Sequence, residues 1–251
     1  MADFSYQLYS SRNFPPLADT LKMIAGVGFT QAEGYGALYA DASSLSVLEK
    51  GLKDNGLTMP TGHFSLDQCQ NDPARVLEII RTLDMKAVIV PYIMPDARPT
   101  DAKGWAAFGK TLAEVGKPFR DAGAAFGYHN HDFEYKAVDG GHLPIDLLLG
   151  ADDSLAYEFD VAWAIRGSFD PMVSIEKYTG RLIAAHVKDI APAGENKDED
   201  GWADVGHGTV AWTKLLPALR KAGAKYFVCE HDNPKDDARF ATRSITAAKG
   251  F

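Results

Sequence analysis

The chain contains 251 residues, of which 26 are Lys or Arg and 34 are Asp or Glu, so its formal net charge is −8. Hydrophobic residues make up 46% of the sequence, which is enough for a packed core and excludes a largely disordered chain. The acidic balance disfavours a nucleic-acid partner, because neutralising phosphates requires clustered Lys and Arg. The apolar runs are far shorter than the ~20 residues of a membrane-spanning helix, so no membrane association is predicted.

The cellular location is predicted from the beginning of the chain and from its cysteines. The first residues contain no basic segment followed by an apolar one, so no secretory signal is expected. Cys69 and Cys229 lie far apart and match neither a disulfide framework nor a metal-binding pair. We therefore expect a cytoplasmic protein with reduced cysteines.

Short apolar runs alternate with longer segments of helical periodicity along the chain. The predicted strands cover residues 5–9, 29–33, 57–63, 87–90, 124–129, 155–160, 182–187 and 226–230. The predicted helices between them cover residues 15–27, 43–55, 72–84, 101–122, 144–149, a segment that begins at residue 170, and 210–222. Asp72-Pro73 and Asp170-Pro171 are typical helix starts, because Asp caps an N-terminus and Pro is tolerated in the first turn.

This alternation predicts parallel strands joined by βαβ crossovers. Eight such units favour a single α/β domain, residues 1–251, folded as a closed (β/α)8 TIM barrel. The main alternative is an open doubly wound sheet, which normally has a Gly-rich phosphate turn after its first strand. Here that turn reads Ser10-Ser11-Arg12-Asn13, whereas Gly26-Val27-Gly28 comes late enough to predict a helix stop.

The ends of the predicted strands carry most of the histidines. In a TIM barrel the active site lies at the C-terminal ends of the strands, and five of the seven histidines are predicted there, interleaved with carboxylates. These strand ends carry Glu33, His63, His129, His131, Glu158, Asp160, His186, Lys188, Glu230 and His231. Convergent His and carboxylate groups are typical ligands of Mn, Zn, Co or Fe. We therefore predict a metal site, with a metal-free polar pocket as the alternative.

Five motifs in these segments resemble the xylose isomerase-like TIM-barrel superfamily, in particular its sugar phosphate isomerase/epimerase group. They are Tyr128-His129-Asn130-His131-Asp132-Phe133-Glu134, Phe159-Asp160-Val161-Ala162-Trp163, His186-Val187-Lys188-Asp189, Gly206-His207-Gly208 and Cys229-Glu230-His231-Asp232. The resemblance extends from about Ser5 to about Asp232. It implies one catalytic divalent metal ion, commonly Mn, Mg, Co or Zn. The group includes epimerases, isomerases, inosose dehydratases and DNA-repair endonucleases, so the motifs do not identify the substrate.

The resemblance also implies a set of metal ligands. The family's Asp, His and Glu ligands at strands six, seven and eight match Asp160, His186 and Glu230. The family's Glu at strand five is missing. Alignment on Asn130-His131 places His129 at that position, whereas a slip of one residue places Tyr128 there and leaves His131 as the ligand.

The missing glutamate affects the expected mechanism. Family epimerases exchange a proton between two glutamate ligands, and here Glu230 remains as the obvious base. The candidates for a second proton carrier are His131, Glu134, Lys188 and His63. We predict catalytic roles for Glu230, His131 and Lys188, with a metal ion stabilising the enediolate as a Lewis acid.

Four other residues are expected to contact the substrate: Glu33, His63, Trp163 and His207. Trp163 would be a stacking wall for a sugar ring, with a packing role as its alternative. His207 lies between two glycines, and a solvated turn is its alternative role.

The leading functional hypothesis is a metal-dependent isomerase or epimerase acting on a small sugar or polyol. The second is a dehydratase or lyase acting on a keto-polyol such as an inosose or a 3-keto-glycoside, and the third is a non-catalytic sugar-binding barrel. No phosphate site is predicted, because the sequence shows no Gly-rich loop or Arg cluster at the mouth. The short segment after Asp236 raises the prospect of a homo-oligomer in which a partner subunit closes the barrel.

Overall fold

A computed structural model describes residues 3–251 and places eight parallel strands in a closed barrel. The barrel strands are β1 (Phe4–Gln7), β2 (Gln31–Gly34), β3 (Thr58–His63), β4 (Ala87–Val90), β5 (Ala125–His129), β6 (Ala156–Asp160), β7 (Leu182–Val187) and β10 (Tyr226–Cys229). The first strand pairs with the last, with Phe4 opposite Phe227, and this pairing closes the sheet on itself. The predicted TIM barrel is confirmed, and the open doubly wound sheet is excluded.

Helices connect the strands and cover the outside of the barrel. They are α1 (Leu17–Val27), α2 (Ala42–Asp54), α3 (Leu66–Asn71), α4 (Pro73–Leu83), α5 (Ala102–Asp121), α6 (Pro144–Leu149), α7 (Val161–Arg166), α8 (Pro171–Lys177), α9 (Trp212–Ala222) and α10 (Asp237–Ala248). Asp72 caps α4 by accepting the backbone N–H of Arg75, and Gly28 ends α1 in the left-handed conformation, as the sequence predicts. Among residues 3–251 we find no helix with the length and apolar composition needed to cross a membrane.

Three short elements at the C-terminal ends of the strands were not predicted. Helix α3 follows β3 and begins with a capping box between Ser65 and Gln68. Helix α7 begins directly after β6, and the Asp160 carboxylate caps it by accepting the N–H of Trp163. An antiparallel hairpin, β8 (Asp189–Ile190) and β9 (Trp202–Ala203), follows β7. These elements bring side chains to the mouth of the barrel.

The strands are buried on both faces, as parallel strands between a core and a helical layer should be. All four residues of β4 have no exposed surface. Helix α10 packs against α1 and β1, so the chain closes its own barrel. The expectation that a partner subunit closes it is therefore wrong.

Gly109 allows a close contact between α5 and α6. A Cβ atom at Gly109 would lie 2.3 Å from the carbonyl oxygen of Leu148. We predict that Gly109→Ala lowers the free energy of unfolding by about 1–3 kcal/mol, the usual cost of overpacking. Gly26 in α1 is the matched control, because among residues 3–251 no atom lies within 4 Å of its added Cβ apart from its chain neighbours and the nearby backbone of its own helix. Gly26→Ala should raise this free energy by about 0.5–1 kcal/mol, because Gly weakens a helix interior.

Urea unfolding of the two variants measures both effects. A Gly109→Ala variant as stable as Gly26→Ala would contradict the close packing of α5 on α6.

Candidate active site

The ends of six strands bring seven polar side chains together at one end of the barrel. This buried cluster consists of Glu33 from β2, His63 from β3, His129 from β5, Glu158 and Asp160 from β6, His186 from β7, and Glu230, which follows β10. Because alternate residues of a strand share a face, Glu158 and Asp160 both point inward. All seven side chains are buried, so their charges and hydrogen bonds must be satisfied within the cluster.

The Oδ2 atom of Asp160 faces two imidazoles without bonding to either. It lies 3.9 Å from His129 Nε2 and 3.9 Å from His186 Nδ1. This buried oxygen accepts no hydrogen bond from any residue in the described range. Two atoms bound to one ion at about 2.1 Å each lie at most about 4.2 Å apart, so these separations fit a shared cation and are too long for hydrogen bonds.

Hydrogen bonds to two glutamates orient the imidazoles. His129 Nδ1 lies 3.1 Å from Glu158 Oε2, and His186 Nε2 lies 2.8 Å from Glu33 Oε1. A carboxylate accepts the proton of an imidazole N–H, so each of these nitrogens carries a hydrogen. The opposite nitrogens, His129 Nε2 and His186 Nδ1, face Asp160. Carboxylates orient metal-binding histidines in this way.

Glu230 joins Asp160 and His186, and these three residues place ligand atoms within 4.8 Å of one another. The Oε2 atom of Glu230 lies 2.9 Å from His186 Nδ1, the distance of a hydrogen bond, so a cation bound by both atoms would replace the proton that they share. Burial alone would lower the pKa of His186, but Glu158, Glu230 and Glu33 raise that pKa well above its usual value. Without an ion, His186 therefore holds protons on both nitrogens, and a cation bound at Nδ1 would replace one of them.

His63 bonds two glutamates of the cluster. Its Nε2 lies 2.6 Å from Glu158 Oε2 and 3.1 Å from Glu33 Oε1, and Gln7 donates to the same Glu33 oxygen at 2.7 Å. Burial opposes charge on His63, but Glu33 and Glu158 raise its pKa to about 10. His63, His129, Glu158 and His186 also place ligand atoms within 4.8 Å of one another. The separation of 2.6 Å is that of a hydrogen bond, however, and leaves no room for an ion between His63 and Glu158.

A pocket of about 770 Å³ opens above the buried cluster. Its lining includes His63, His129, His131, Trp163 and Glu230 among the predicted site residues. The other predicted residues lie outside that lining. Glu33 is fully buried beside His63 and His186. Lys188 is also fully buried, with Nζ 3.1 Å from Glu230 Oε2 and 2.7 Å from Asp232 Oδ2.

His131 presents an imidazole to this pocket. Its backbone N–H donates to Glu134 Oε2 at 2.8 Å, and Glu134 also accepts the hydroxyl hydrogen of Tyr128. The ring of His131 lies 5.2 Å from that of Trp163. Its Nδ1 atom is buried and has no hydrogen-bond partner among the described residues. The imidazole therefore keeps one nitrogen without a protein partner among the described residues.

His207 is not brought to the pocket. It is exposed and lines a separate small cavity, together with Asp204 and Arg239. The Gly-His-Gly motif correctly suggested a turn, but its sequence does not specify where the turn points.

Sequence reasoning missed several residues that shape the site. Asn130 Oδ1 accepts the backbone N–H of Asp160, and its Nδ2 donates to the Asp160 carbonyl, both at 3.0 Å. Its place inside the strand-five motif was the available signal. Arg12 and Arg98 line the mouth from two different loops, although the sequence shows no cluster of arginines. Arg98 comes from the loop after β4, where the sequence has no strand-end motif.

The sequence and the fold both match known proteins. The family model described as xylose isomerase-like TIM barrel matches residues 21–248. No curated protein matches the sequence. A solved sugar phosphate isomerase/epimerase from Parabacteroides distasonis ATCC 8503 is 20% identical, with a TM-score of 0.80 over 98% of this chain and 94% of that chain.

Two further solved structures are similar. The 3-keto-D-glucoside 4-epimerase of E. coli is 16% identical, with a TM-score of 0.72 over 100% of both chains. An IolI protein with a bound zinc atom is 14% identical, with a TM-score of 0.73 over 99% of this chain and 95% of that chain. Similarity at these identities shows the fold alone. Because the family model matches most of the sequence, the chain belongs to the xylose isomerase-like TIM-barrel family.

Proposed function

We propose that the protein is a divalent-metal-dependent enzyme that isomerises or epimerises a small sugar or polyol by moving a proton on the carbon next to a carbonyl. The observation that carries this proposal is the buried Oδ2 of Asp160, which accepts no hydrogen bond from the described residues, lies 3.8 Å from Lys188 Nζ and faces His129 and His186 at 3.9 Å. A carboxylate oxygen left without a partner in a buried site is costly unless a cation approaches it.

The proposed ligands are His129, Asp160, His186 and Glu230. Nitrogen and carboxylate donors of this kind suit Mn, Co and Zn, with Mg as a further candidate. A divalent ion held there supplies a Lewis acid for the negative charge that develops on the carbonyl oxygen when the neighbouring C–H loses its proton. At strand five His129 is favoured over His131, because His129 Nε2 faces Asp160 Oδ2 at 3.9 Å.

Glu230 is the proposed base, because it lines the floor of the pocket as an ionised carboxylate. Burial alone would raise the pKa of Glu230, but Lys188 and His186 lower that pKa well below its usual value. Lys188 lies behind Glu230 and acts through it. Its predicted catalytic role thus becomes a positioning role.

His131 is the proposed second proton carrier, because its Nδ1 is unpaired and its ring lines the pocket. An epimerisation needs such a group to return the proton on the opposite face. Trp163, beside His131, supplies an apolar wall for the sugar ring. His63 lines the pocket too, but its Nε2 is already engaged by Glu33 and Glu158.

A dehydratase or lyase remains a second candidate, because Glu230 is the one carboxylate shared by the proposed ligand set and the described pocket lining. Elimination needs one base for the C–H and one acid for the departing oxygen, and Glu230 and His131 can supply these roles. The two reactions differ in their products.

Metal analysis tests the site directly. We expect about one equivalent of a divalent metal in protein purified without chelator, as a single four-ligand site implies. Asp160→Ala and His186→Ala should each lose it, since each removes a proposed ligand. Asp132→Ala, which removes a pocket carboxylate outside the ligand set, should keep it. Plasma mass spectrometry measures all four proteins. Parent protein that neither contains nor takes up Mn, Co, Zn or Mg would overturn the proposal.

A second test concerns the orientation of His129. Glu158→Gln keeps the shape of the side chain but weakens the acceptor for His129 Nδ1, so we expect metal affinity to fall by about 10–100-fold. Glu134→Gln is the matched control, because Glu134 is equally buried and bonds Tyr128 and the backbone of His131. Competition with a chromogenic chelator gives both affinities. Equal losses would show that any buried Glu→Gln change disturbs the site.

Solvent deuterium exchange tests the reaction. Incubation with keto-sugars and inososes in deuterated water should place deuterium on the carbon next to the carbonyl. Glu230→Gln should slow this exchange by at least about 10²-fold, the usual contribution of a general base. Proton NMR reports the exchange, and metal content is measured on the same samples. Loss of a neighbouring hydroxyl would identify the dehydratase instead, and binding without exchange would identify a non-catalytic barrel.

A further inference from the structure

Exposed apolar side chains are concentrated at the mouth of the pocket. Five large hydrophobic residues are exposed within residues 3–251, and three of them, Tyr9, Tyr92 and Met94, line the mouth. The other two, Val47 and Val173, lie outside its lining. Single exposed apolar residues are ordinary, but a group of them around one cavity is typical of a binding surface.

The aromatic rings of the mouth form two facing groups from different loops. Tyr9, after β1, packs edge-to-face on Tyr35, after β2, with ring centroids 5.3 Å apart. Tyr92, after β4, packs on His131 and Phe133, after β5, at 5.0 and 5.9 Å. All five side chains line the same pocket. The mouth therefore offers preformed apolar faces from both sides of the cavity.

The two arginines of the mouth hold these rings in place. The Arg12 guanidinium carbon lies 4.0 Å from the centroid of the Tyr9 ring, and the corresponding atom of Arg98 lies 3.5 Å from that of Phe133. Arg98 also donates to the Tyr92 hydroxyl at 2.6 Å. Such stacked guanidinium groups stiffen an aromatic surface.

The charges at the mouth do not favour an anionic substituent. Arg12 and Arg98 are accompanied in the pocket lining by Asp132, Asp200 and Asp232. Arg12 already donates to the carbonyl of Asp232. A phosphate or carboxylate group would meet more negative than positive side chains here, whereas an uncharged ring would bury apolar surface without that cost.

The pocket is large enough to hold more than one ring, and its floor differs from its mouth in polarity. A volume of about 770 Å³ lies within the range of ~300–1,000 Å³ that holds drug-sized ligands, which are larger than one sugar ring. Buried Glu230 lies at the floor, within the buried cluster, and the exposed aromatic groups lie at the mouth. A ligand that fills both parts has a polar ring joined to an apolar one.

We propose that the substrate is a glycoside whose sugar ring lies over Glu230 and whose aromatic aglycone lies at the mouth, against Tyr9, Tyr35, Tyr92 and Met94. The identity of the reacting ring rests on the proposed function, but the binding of the aglycone does not. A glycosidic bond locks the anomeric carbon, so the carbonyl of such a substrate is a ketone on the ring. The proton transfer is then an epimerisation or an elimination, because an aldose–ketose exchange needs a free anomeric carbon.

Calorimetry with methyl and phenyl glucosides, in both anomeric forms, tests this aglycone site. Neither probe carries a carbonyl, so neither reacts. One phenyl glucoside should bind the parent protein at least about tenfold more tightly than its methyl counterpart, because the phenyl ring is buried at the mouth. In the double variant Tyr92→Ser, Met94→Ser this preference should fall to within about twofold.

The double variant Val47→Ser, Val173→Ser is the matched control, since it removes two exposed apolar side chains away from the pocket. It should keep the preference for the phenyl glucoside. Equal binding of both glucosides by the parent, or a preference that survives the change of Tyr92 and Met94, overturns the proposal. Circular dichroism confirms that both double variants are folded.

Deuterium exchange separates this proposal from the proposed function. Exchange on a free keto-sugar without a phenyl preference would leave the reaction standing and refute the aglycone site. A phenyl preference without exchange on any ring ketone would refute the reaction and leave the aglycone site standing.

Discussion

Compensation of buried negative charge is the constraint on which this end of the barrel depends. Glu33, Glu158, Asp160 and Glu230 are buried within a few ångströms of one another, and an isolated carboxylate in such surroundings is strongly unfavourable. Lys188 supplies one positive charge. His63 supplies a second, because Glu33 and Glu158 raise its pKa to about 10 although burial opposes it. Protonated His186 supplies a third when no ion is bound. A divalent cation that replaced the Nδ1 proton of His186 would leave that ring neutral, and the charges of the four carboxylates, Lys188, His63 and the ion would then balance.

The barrel geometry brings these charged side chains together. Parallel strands end at the same rim, and closure brings β2 and β7 close enough for Glu33 to bond His186 at 2.8 Å across the interior. Glu33 and Glu158 bond and orient His186, His63 and His129, whereas Asp160 keeps Oδ2 toward two imidazoles and Glu230 lines the pocket. The carboxylates thus divide into a supporting pair and a pair available for a cation and substrate.

Local signals in the sequence were sufficient for the eight strands, for helix starts such as Asp72-Pro73, and for the residues at the strand ends. These signals could not specify how far each side chain lies from the pocket. Glu33 and His63 are both polar residues at the end of a predicted strand, yet Glu33 is fully buried and His63 lines the pocket. The same signals also could not place loop residues. Arg98 reaches the mouth and His207 points away from it through loop geometry that depends on packing against the rest of the barrel.

One hydrogen-bond acceptor links the floor of the pocket to its wall. Asp160 uses Oδ1 to accept the backbone N–H of Trp163 at 2.8 Å, and this cap begins α7 and leaves Oδ2 facing the histidines. The position of the Trp163 wall and that of the proposed ligand oxygen are therefore set together. Tyr92 and Met94 lie on the loop after β4, which supplies none of the buried cluster. Substitutions in that loop can thus alter which aglycone fits at the mouth without changing the buried residues at the floor.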